Sequence, residues 1–394
     1  MEENQISRRP RRTSPVQKNR SKQGVALAAL LCVTILVFSL VGLIAKDREF
    51  SENENRSLAQ RPALTWQALT DGSYLSDLSD YLADQFPGRD MWLSVNLGMQ
   101  KLLGAKESGG VYLGKDNYLL QIPGAPNEVQ LSRNLQAMEG FAQAYPDLNM
   151  VAAIVPNAVT VLEENLPKNA PVRDQREDLR HIASKLSTVQ FVDVTDTLEK
   201  YENQQLYYRT DHHWTSLAAA YTFGKLAPTL QITAPALSSY TRYTVSDTFE
   251  GTLASKSGSH KAMDTVEIFV PDTAIEYFVE YPDGGGKVCS MYQADALDTK
   301  DHYTVFFGGN YSRVDITTTA DTGRCLLVFK DSYANCMMQF LYPYYEHITM
   351  IDPRYYYDNV AQVISSEGIT DVLFLYNLDT FLSDSSLADT LAME

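Results

Sequence analysis

The stretch LLVFKDSYANC (326–336) decides the reading of the fold. Its apolar run ends at Lys330. Asp331, Ser332 and Tyr333 form a turn, and a helix is expected to begin near Ala334. A strand, turn and helix in this order expose a serine hydroxyl at the carboxyl end of a parallel sheet. The helix start offers unpaired N–H groups and a positive potential, which suit an oxyanion on an attacked acyl carbon. Taken alone, the plainer reading is that Asp331 or Ser332 caps the helix.

Similar apolar runs lie on either side. MVAAIVP (150–156), QFVDVTD (190–196), HITMID (347–352) and DVLFLYN (371–377) are short and rich in β-branched residues. Helical periods lie at about 129–144, 174–187 and 216–227. Strands apolar on both sides, alternating with helices, predict a parallel sheet covered on both faces. Residues 237–323 break the rhythm with Thr, Tyr, Val and Gly, as in SYTRYTVSDTF and HYTVFFGGNY. They are expected to form an antiparallel, β-rich insertion lying over the sheet. Nearer the start, residues 46–75 read as a polar stalk. A helix is expected from about Asp71, a break at DQFPGRD (84–90), a second amphipathic helix through Leu103, and a hairpin at GVYLGKDNYLLQ (110–121) turning on Lys115-Asp116-Asn117.

The chain has 394 residues and a formal charge of −16, unevenly spread. Residues 1–22 hold seven basic side chains against two acidic ones, and Gln23 to Ala45 carry no charge. Those uncharged residues span about 34 Å as a helix, slightly more than a bilayer core. The run is longer than the apolar region of a cleaved signal peptide. Leu43 also stands where a small residue would be wanted, so an uncleaved signal anchor is preferred. The basic flank stays in the cytoplasm and the acidic remainder lies outside it, in the cell membrane's extracytoplasmic space. The expected divisions are a cytoplasmic leader (1–22), a transmembrane anchor (23–45), a stalk with helices and a hairpin (46–128) and a catalytic domain (129–394). An acidic surface argues against nucleic acid as partner. Apolar content of 44% excludes general disorder, and four cysteines exclude a disulfide scaffold or a Cys-rich zinc fold. Cys32 lies in the apolar run; a Cys325–Cys336 pair is open, with unpaired thiols the plainer reading.

Six histidines are present, and two adjoin in RTDHHWTS (209–216). Asp211 and His213 are two apart, so extended backbone turns them to one side. Trp214 is expected to wall the site, and Thr215 or Ser216 to cap the following helix. The competing reading is a capping Asp with half-exposed histidines. A lone serine hydroxyl is a weak nucleophile that needs a base, and the base needs an orienting group. Ser332, His213 and Asp211 supply all three, with 119 residues between the serine and the histidine for the fold to bridge. In FFGGNY (306–311), Gly308 and Gly309 permit a turn presenting Asn310, whose amide suits a second oxyanion donor; an ordinary Gly-Asn turn is the alternative. The backbone N–H groups of Ser332 and Tyr333 are further donors. Arg354 is available to an anionic glycan or to a neighbouring carboxylate. His212 is the alternative imidazole. No metal or cofactor is called for, because Asp211, His212 and His213 are too contiguous to complete a tetrahedral set by themselves.

The D-H-H-W string at 211–214 resembles the signature of the bacterial DHHW proteins. These are similar to the SGNH-hydrolase-like exopolysaccharide O-acetyltransferases, such as those that acetylate alginate. FSENENRSLA, DQFPGRD, GVYLGKDNYLL, TDHHWT, KDSYAN and IDPRYYYDNV extend the resemblance from about 50 to 376. It implies a flavodoxin-like, three-layer α/β/α domain, with Asp211 and His213 as the D-x-H pair and Ser332 as nucleophile. The chain departs in carrying Lys330 where esterases have the Gly of their G-D-S block. The resemblance implies a membrane-anchored extracytoplasmic O-acyltransferase, acetylating a cell-surface or exported glycan through a serine acyl-enzyme. It also implies a multi-pass membrane acyltransferase as acyl-donor partner. A carbohydrate acetylesterase and a non-catalytic scaffold of envelope polysaccharide assembly are the rival expectations.

Overall fold

The computed structural model describes residues 15–51, 53 and 56–392; residues 1–14 of the expected leader lie outside the described residues. The chain divides into two compact units, the first covering residues 1–51 and 56–95, the second residues 52–55 and 96–394.

In the first unit, helix α1 (Pro15–Ile44) contains the uncharged run. Its stretch Lys22–Gly42 is long and apolar enough to cross a membrane. A two-residue strand pair, Phe50–Ser51 with Arg56–Ser57, and helix α2 (Trp66–Asp71) occupy the expected stalk. Thr65 caps α2 by accepting from the Ala68 N–H at 3.2 Å. Helix α3 (Ser73–Asp84) and helix α4 (Arg89–Leu102) flank the Pro87-Gly88 break, and α4 carries the chain into the second unit. Asp84 is buried, with the Arg56 guanidinium and the Ala59 N–H on its carboxylate. The hydrogen bond from Arg56 comes first among the causes that hold its pKa down at about 2.

The second unit is built on an eight-stranded sheet. In chain order its strands are β1 (Asn149–Val155), β2 (Gln190–Phe191), β3 (Tyr277–Tyr281), β4 (Gly286–Val288), β5 (Arg313–Thr318), β6 (Cys325–Lys330), β7 (His347–Ile351) and β8 (Asp371–Asn377). The spatial order is β4-β3-β5-β7-β6-β8-β1-β2. Strands β7, β6, β8, β1 and β2 are parallel, as the apolar runs predict. The remaining three are antiparallel. Residues 237–323 are β-rich and antiparallel as expected, but their placement over the sheet is corrected. Only Tyr240–Phe249 and Asp264–Pro271 form a separate ribbon. Strands β3, β4 and β5 instead prolong the sheet in its own plane, satisfying the row of backbone groups that β7 would otherwise leave bare.

Alternate residues of the parallel strands serve different layers. Val151, Ala153, Leu326, Val328, Leu373 and Leu375 face one core; Met150, Ala152, Leu327, Phe329, Val372 and Phe374 face the other. Helices α5 (Glu128–Ala144), α6 (Gln175–Lys185) and α8 (Val360–Glu367) cover the second core through Leu135, Ile182 and Val363. Helix α7 (Ser216–Leu226) and the ribbon cover the first, through Ala218, Phe223 and Phe269. The result is the three-layer α/β/α arrangement with a mixed sheet. The hairpin Val111–Leu113 with Leu119–Gln121 also belongs to this unit, where the Leu119 N–H donates to the Arg209 carbonyl at 2.8 Å. All four cysteines are unpaired.

Candidate active site

Strand β6 and the loop before α7 each deliver one half of the site. After Lys330 the chain enters a 3₁₀ turn over Ser332–Met337, followed by one α turn at Met338–Leu341, instead of the continuous α-helix expected from Ala334. Asp331 caps it: Oδ1 accepts from the Tyr333 N–H at 2.9 Å, and Oδ2 accepts from the Asn377 N–H at 2.9 Å. That cap ties the serine turn to the end of β8. Burial pushes the Asp331 pKa up.

The histidine loop is held by backbone. Tyr207 and Trp214 form an antiparallel bridge, and the Thr215 N–H donates to the Leu206 carbonyl at 2.8 Å. Thr215 then caps α7, as expected. Asp264, at the start of the ribbon's second strand, gathers the Arg209 N–H, the Thr210 N–H and the Thr210 hydroxyl on one carboxylate, at 2.9, 2.8 and 2.6 Å.

These two halves meet. His213 Nδ1 is 2.6 Å from Asp211 Oδ1, and His213 Nε2 is 2.7 Å from Ser332 Oγ. An ionised carboxylate only accepts, so the imidazole proton sits on Nδ1 and the bare Nε2 faces the serine hydroxyl. Asp211 Oδ1 also accepts from the His213 N–H, while Oδ2 accepts from the Thr252 N–H at 2.7 Å and the Thr252 hydroxyl at 2.9 Å. Burial opposes ionisation of Asp211, but the two imidazoles and these donors outweigh it and hold the pKa far below the usual carboxylate range. Thr252 reaches Asp211 because Gly251 precedes it. A Cβ at Gly251 would stand 2.3 Å from the Asp211 Cβ.

Tyr303 joins the halves a second time. Its ring stacks on His213 at 3.8 Å and 14°, and its hydroxyl donates to the Ser332 carbonyl at 2.9 Å. Trp214 and Tyr333 do the same from below. Trp214 Nε1 donates to the Tyr333 carbonyl at 3.0 Å, the Tyr333 hydroxyl donates to the His212 carbonyl at 2.6 Å, and the two rings stack. Both side chains are fully buried. The expectation that Trp214 walls a substrate site is therefore corrected: no surface of it meets solvent, and its work is to pin the two loops together. Tyr333 is corrected likewise, since its N–H is already held by Asp331.

His212 lies beside His213, with Nδ1 2.9 Å from the Thr252 hydroxyl and 32% of its side chain exposed. Burial first, and the adjacent His213 second, push its pKa down. Donor atoms of Asp211, His212 and His213 lie within 4.8 Å of one another, near enough for a metal by distance. The oxygens of Asp211 and both nitrogens of His213 are, however, already engaged in the hydrogen bonds above.

Beside the serine, Lys330 is buried. Its Nζ donates to Asn335 Oδ1 at 2.8 Å and to Asn310 Oδ1 at 3.1 Å, and Asn335 Nδ2 donates to the same Asn310 oxygen at 3.2 Å. Burial brings the lysine down to about 8 against the pull of Asp352 and Asp331. Asn310 is exposed, and its turn needs the positive φ of Gly308 (77°) and Gly309 (131°). Its oxygen is taken by two donors. Arg354 forms a two-pronged pair with Asp352, Nε to Oδ1 at 2.8 Å and Nη2 to Oδ2 at 2.6 Å, the carboxylate alternative raised by the sequence.

Five supporting residues escape a reading of the sequence. Tyr303 is one of 24 tyrosines, and nothing in its neighbourhood marks it. Gly251-Thr252 and Asp264 lie dozens of residues from the histidines. Lys330 stands out in the sequence as a departure from the esterase block, and a charged residue ending an apolar strand signals that it has partners.

The family described as the SGNH hydrolase-like domain of acetyltransferase AlgX matches residues 113–314, a span that includes Asp211 and His213 and ends before Ser332. Among solved structures, a DHHW family protein from Eubacterium siraeum shares 25% identity with a TM-score of 0.63, over 72% of this chain and 95% of that one. PatB1 from Bacillus cereus carrying a sulfonyl adduct shares 20% identity with a TM-score of 0.58, over 70% of this chain and 96% of that one. PatB1 from Bacillus cereus without the adduct is similar at the same identity and TM-score, over 71% of this chain and 98% of that one. No curated protein sequence matches the chain.

Proposed function

The chain belongs to the family of the SGNH hydrolase-like domain of acetyltransferase AlgX, and from that premise we propose that it is an O-acyltransferase that moves an acetyl group onto a hydroxyl of a cell-surface or exported polysaccharide. The observation that carries the proposal is the unbroken hydrogen-bonded line from Asp211 through His213 to Ser332 Oγ.

In this reading Ser332 Oγ attacks the acyl carbon of the donor while its proton passes to His213 Nε2. The oxyanion is received by the Ser332 N–H and the NH₂ of Asn310. Collapse expels the donor's leaving group, which takes the proton from His213, and an acetyl ester remains on Ser332. A sugar hydroxyl then gives its proton to His213 and attacks the ester. The second collapse returns the proton to Ser332. Asp211, kept ionised, steadies the imidazolium in both halves. Lys330 and Asn335 act as positioning residues, since they hold the oxygen of Asn310 and so decide where its NH₂ points. Arg354, committed to Asp352, is left out of acceptor binding. Helix α1 is read as an uncleaved anchor with the N-terminus in the cytoplasm and the catalytic unit outside, where a multi-pass membrane acyltransferase would supply the acyl group.

The test is incubation of the full chain in detergent with an activated acetyl ester, followed by peptide mass spectrometry. An acetyl adduct on Ser332, absent in Ser332→Ala and discharged faster when acceptor glycan is added, is expected. An unmodified Ser332 with turnover equal to that of Ser332→Ala would sink the acyl-enzyme. Discharge at the same rate with and without glycan would make the protein a hydrolase instead.

A further inference from the structure

Large apolar side chains stand in solvent along the first unit. On α3, Leu75 and Leu82 are 71% and 58% exposed, with the half-buried Leu78 between them at helical spacing. On α4, Met91, Trp92 and Val95 share a face at i, i+1 and i+4 and are 59%, 43% and 45% exposed. Scattered exposed leucines need no explanation, but two stripes at helical spacing do.

The position of α1 says what covers them. Phe38 of α1 stacks on Phe86 at 5.2 Å and 19°, and meets Trp92 edge-on at 6.2 Å. A Cβ at Gly42 would lie 3.8 Å from Pro87. Phe38 is six residues before the end of α1, about 9 Å down the helix axis. If α1 crosses a bilayer, Phe86 and Trp92 lie at the depth where acyl chains meet headgroups. Tryptophan favours that depth. Amphipathic helices lie there with their apolar faces inward. Acidic residues outnumber basic ones over 46–95, and the Arg48–Asp90 and Arg56–Asp84 pairs occupy two of the arginines. Apolar area, not attraction to anionic lipid, would therefore hold the segment.

We propose that α3 and the first half of α4 lie on the bilayer surface as a second membrane-contacting element, seating their stripes in the leaflet through which α1 leaves. This rests on the reading of α1 as a membrane anchor. The probe is the full chain reconstituted in zwitterionic phosphatidylcholine vesicles, some with brominated acyl chains. The chain has three tryptophans: Trp214 is wholly buried, and Trp66, 81% exposed, is replaced by Phe in every sample so that Trp92 reports alone. The expected result is strong quenching by the brominated lipid, most of it lost in the conservative Trp92→Phe variant and unchanged in high salt. Vesicle flotation separates the two claims. A chain that floats but whose Trp92 emission is quenched by aqueous iodide and not by lipid overturns the proposal and leaves the anchor standing. Shielding of Trp92 from both quenchers also overturns it, because a protein surface would then cover the stripe. A chain that does not float with the vesicles sinks the anchor and the proposal with it.

Discussion

The two units place their apolar side chains in opposite ways. In residues 96–394, Val328, Leu373 and Phe374 are 0% exposed on strands packed from both faces. In residues 15–95, Leu75, Leu82 and Trp92 show the same helical periodicity that marks α5 and α7, yet face outward. Periodicity reports that a stripe exists; it does not report whether protein or another medium covers it. The second unit carries its own core, while the described residues of the first unit show few buried side chains, among them Leu58 and Asp84.

The contrast is most easily broken at Leu373. Leu373→Ala should cost about 2–5 kcal/mol, read by urea denaturation of the full chain in detergent, because a cavity opens between layers. A neutral outcome would mean that the sheet is not the core. Next is Gly251→Ala. The added methyl collides with Asp211, and the resulting overpacking should cost about 1–3 kcal/mol. A displaced Asp211 should lower the acylation rate of Ser332 by about 100-fold. Unchanged acylation would remove Asp211 from the mechanism.

Glu139 on α5 tests how the catalytic unit is closed at its edge. It accepts from the N–H groups of Ser187, Thr188 and Val189 at 2.8, 3.0 and 3.1 Å. Burial opposes its ionisation, but these donors and the Ser187 hydroxyl bring its pKa to about 2, below the 4.5 of a free glutamate. Its contribution is therefore complete above the unfolded value and lost as pH falls from 4.5 toward 2. Glu139→Gln should lower stability by about 1 kcal/mol at neutral pH and flatten the acid limb, as seen in thermal melts across that range. An unchanged acid limb would assign the acid sensitivity to other carboxylates. A smaller effect is expected for Tyr303→Phe, which keeps the stack on His213 but leaves the Ser332 carbonyl without its donor. It should slow acylation by no more than about fivefold, or about 1 kcal/mol. The smallest is Leu82→Ala, which should change stability in detergent by less than about 0.5 kcal/mol, because its side chain is 58% exposed. A large loss there would show that the outward stripe is core after all.

Much of the catalytic unit was legible because its elements are local. Four-to-seven-residue apolar runs, spaced helical periods and the cap Thr215 are read over a dozen residues at most. The Asp-x-His pair and the serine after a strand were legible as parts, each with an innocent alternative as a cap. The sheet plane of β3, β4 and β5 was not legible. Their composition is that of any antiparallel strand, and only the vacant edge of β7 determines where they pair. Trp214 shows the same limit, since an aromatic beside a histidine looks alike in sequence whether it faces substrate or core.

By itself the sequence determined the alternation of strand and helix, the uncharged run in α1, and Asp211, His213 and Ser332 as the candidate residues, because side-chain chemistry and short-range periodicity belong to the residues. The tertiary structure alone decided that His213 Nε2 lies 2.7 Å from Ser332, that Tyr303 stacks beneath the pair, that Lys330 turns Asn310, and that Gly251 leaves room for Thr252 at Asp211. Each of these joins residues from 20 to 119 positions apart. Contacts at such separations are set by how the layers close over one another, and no local stretch of chain contains that information.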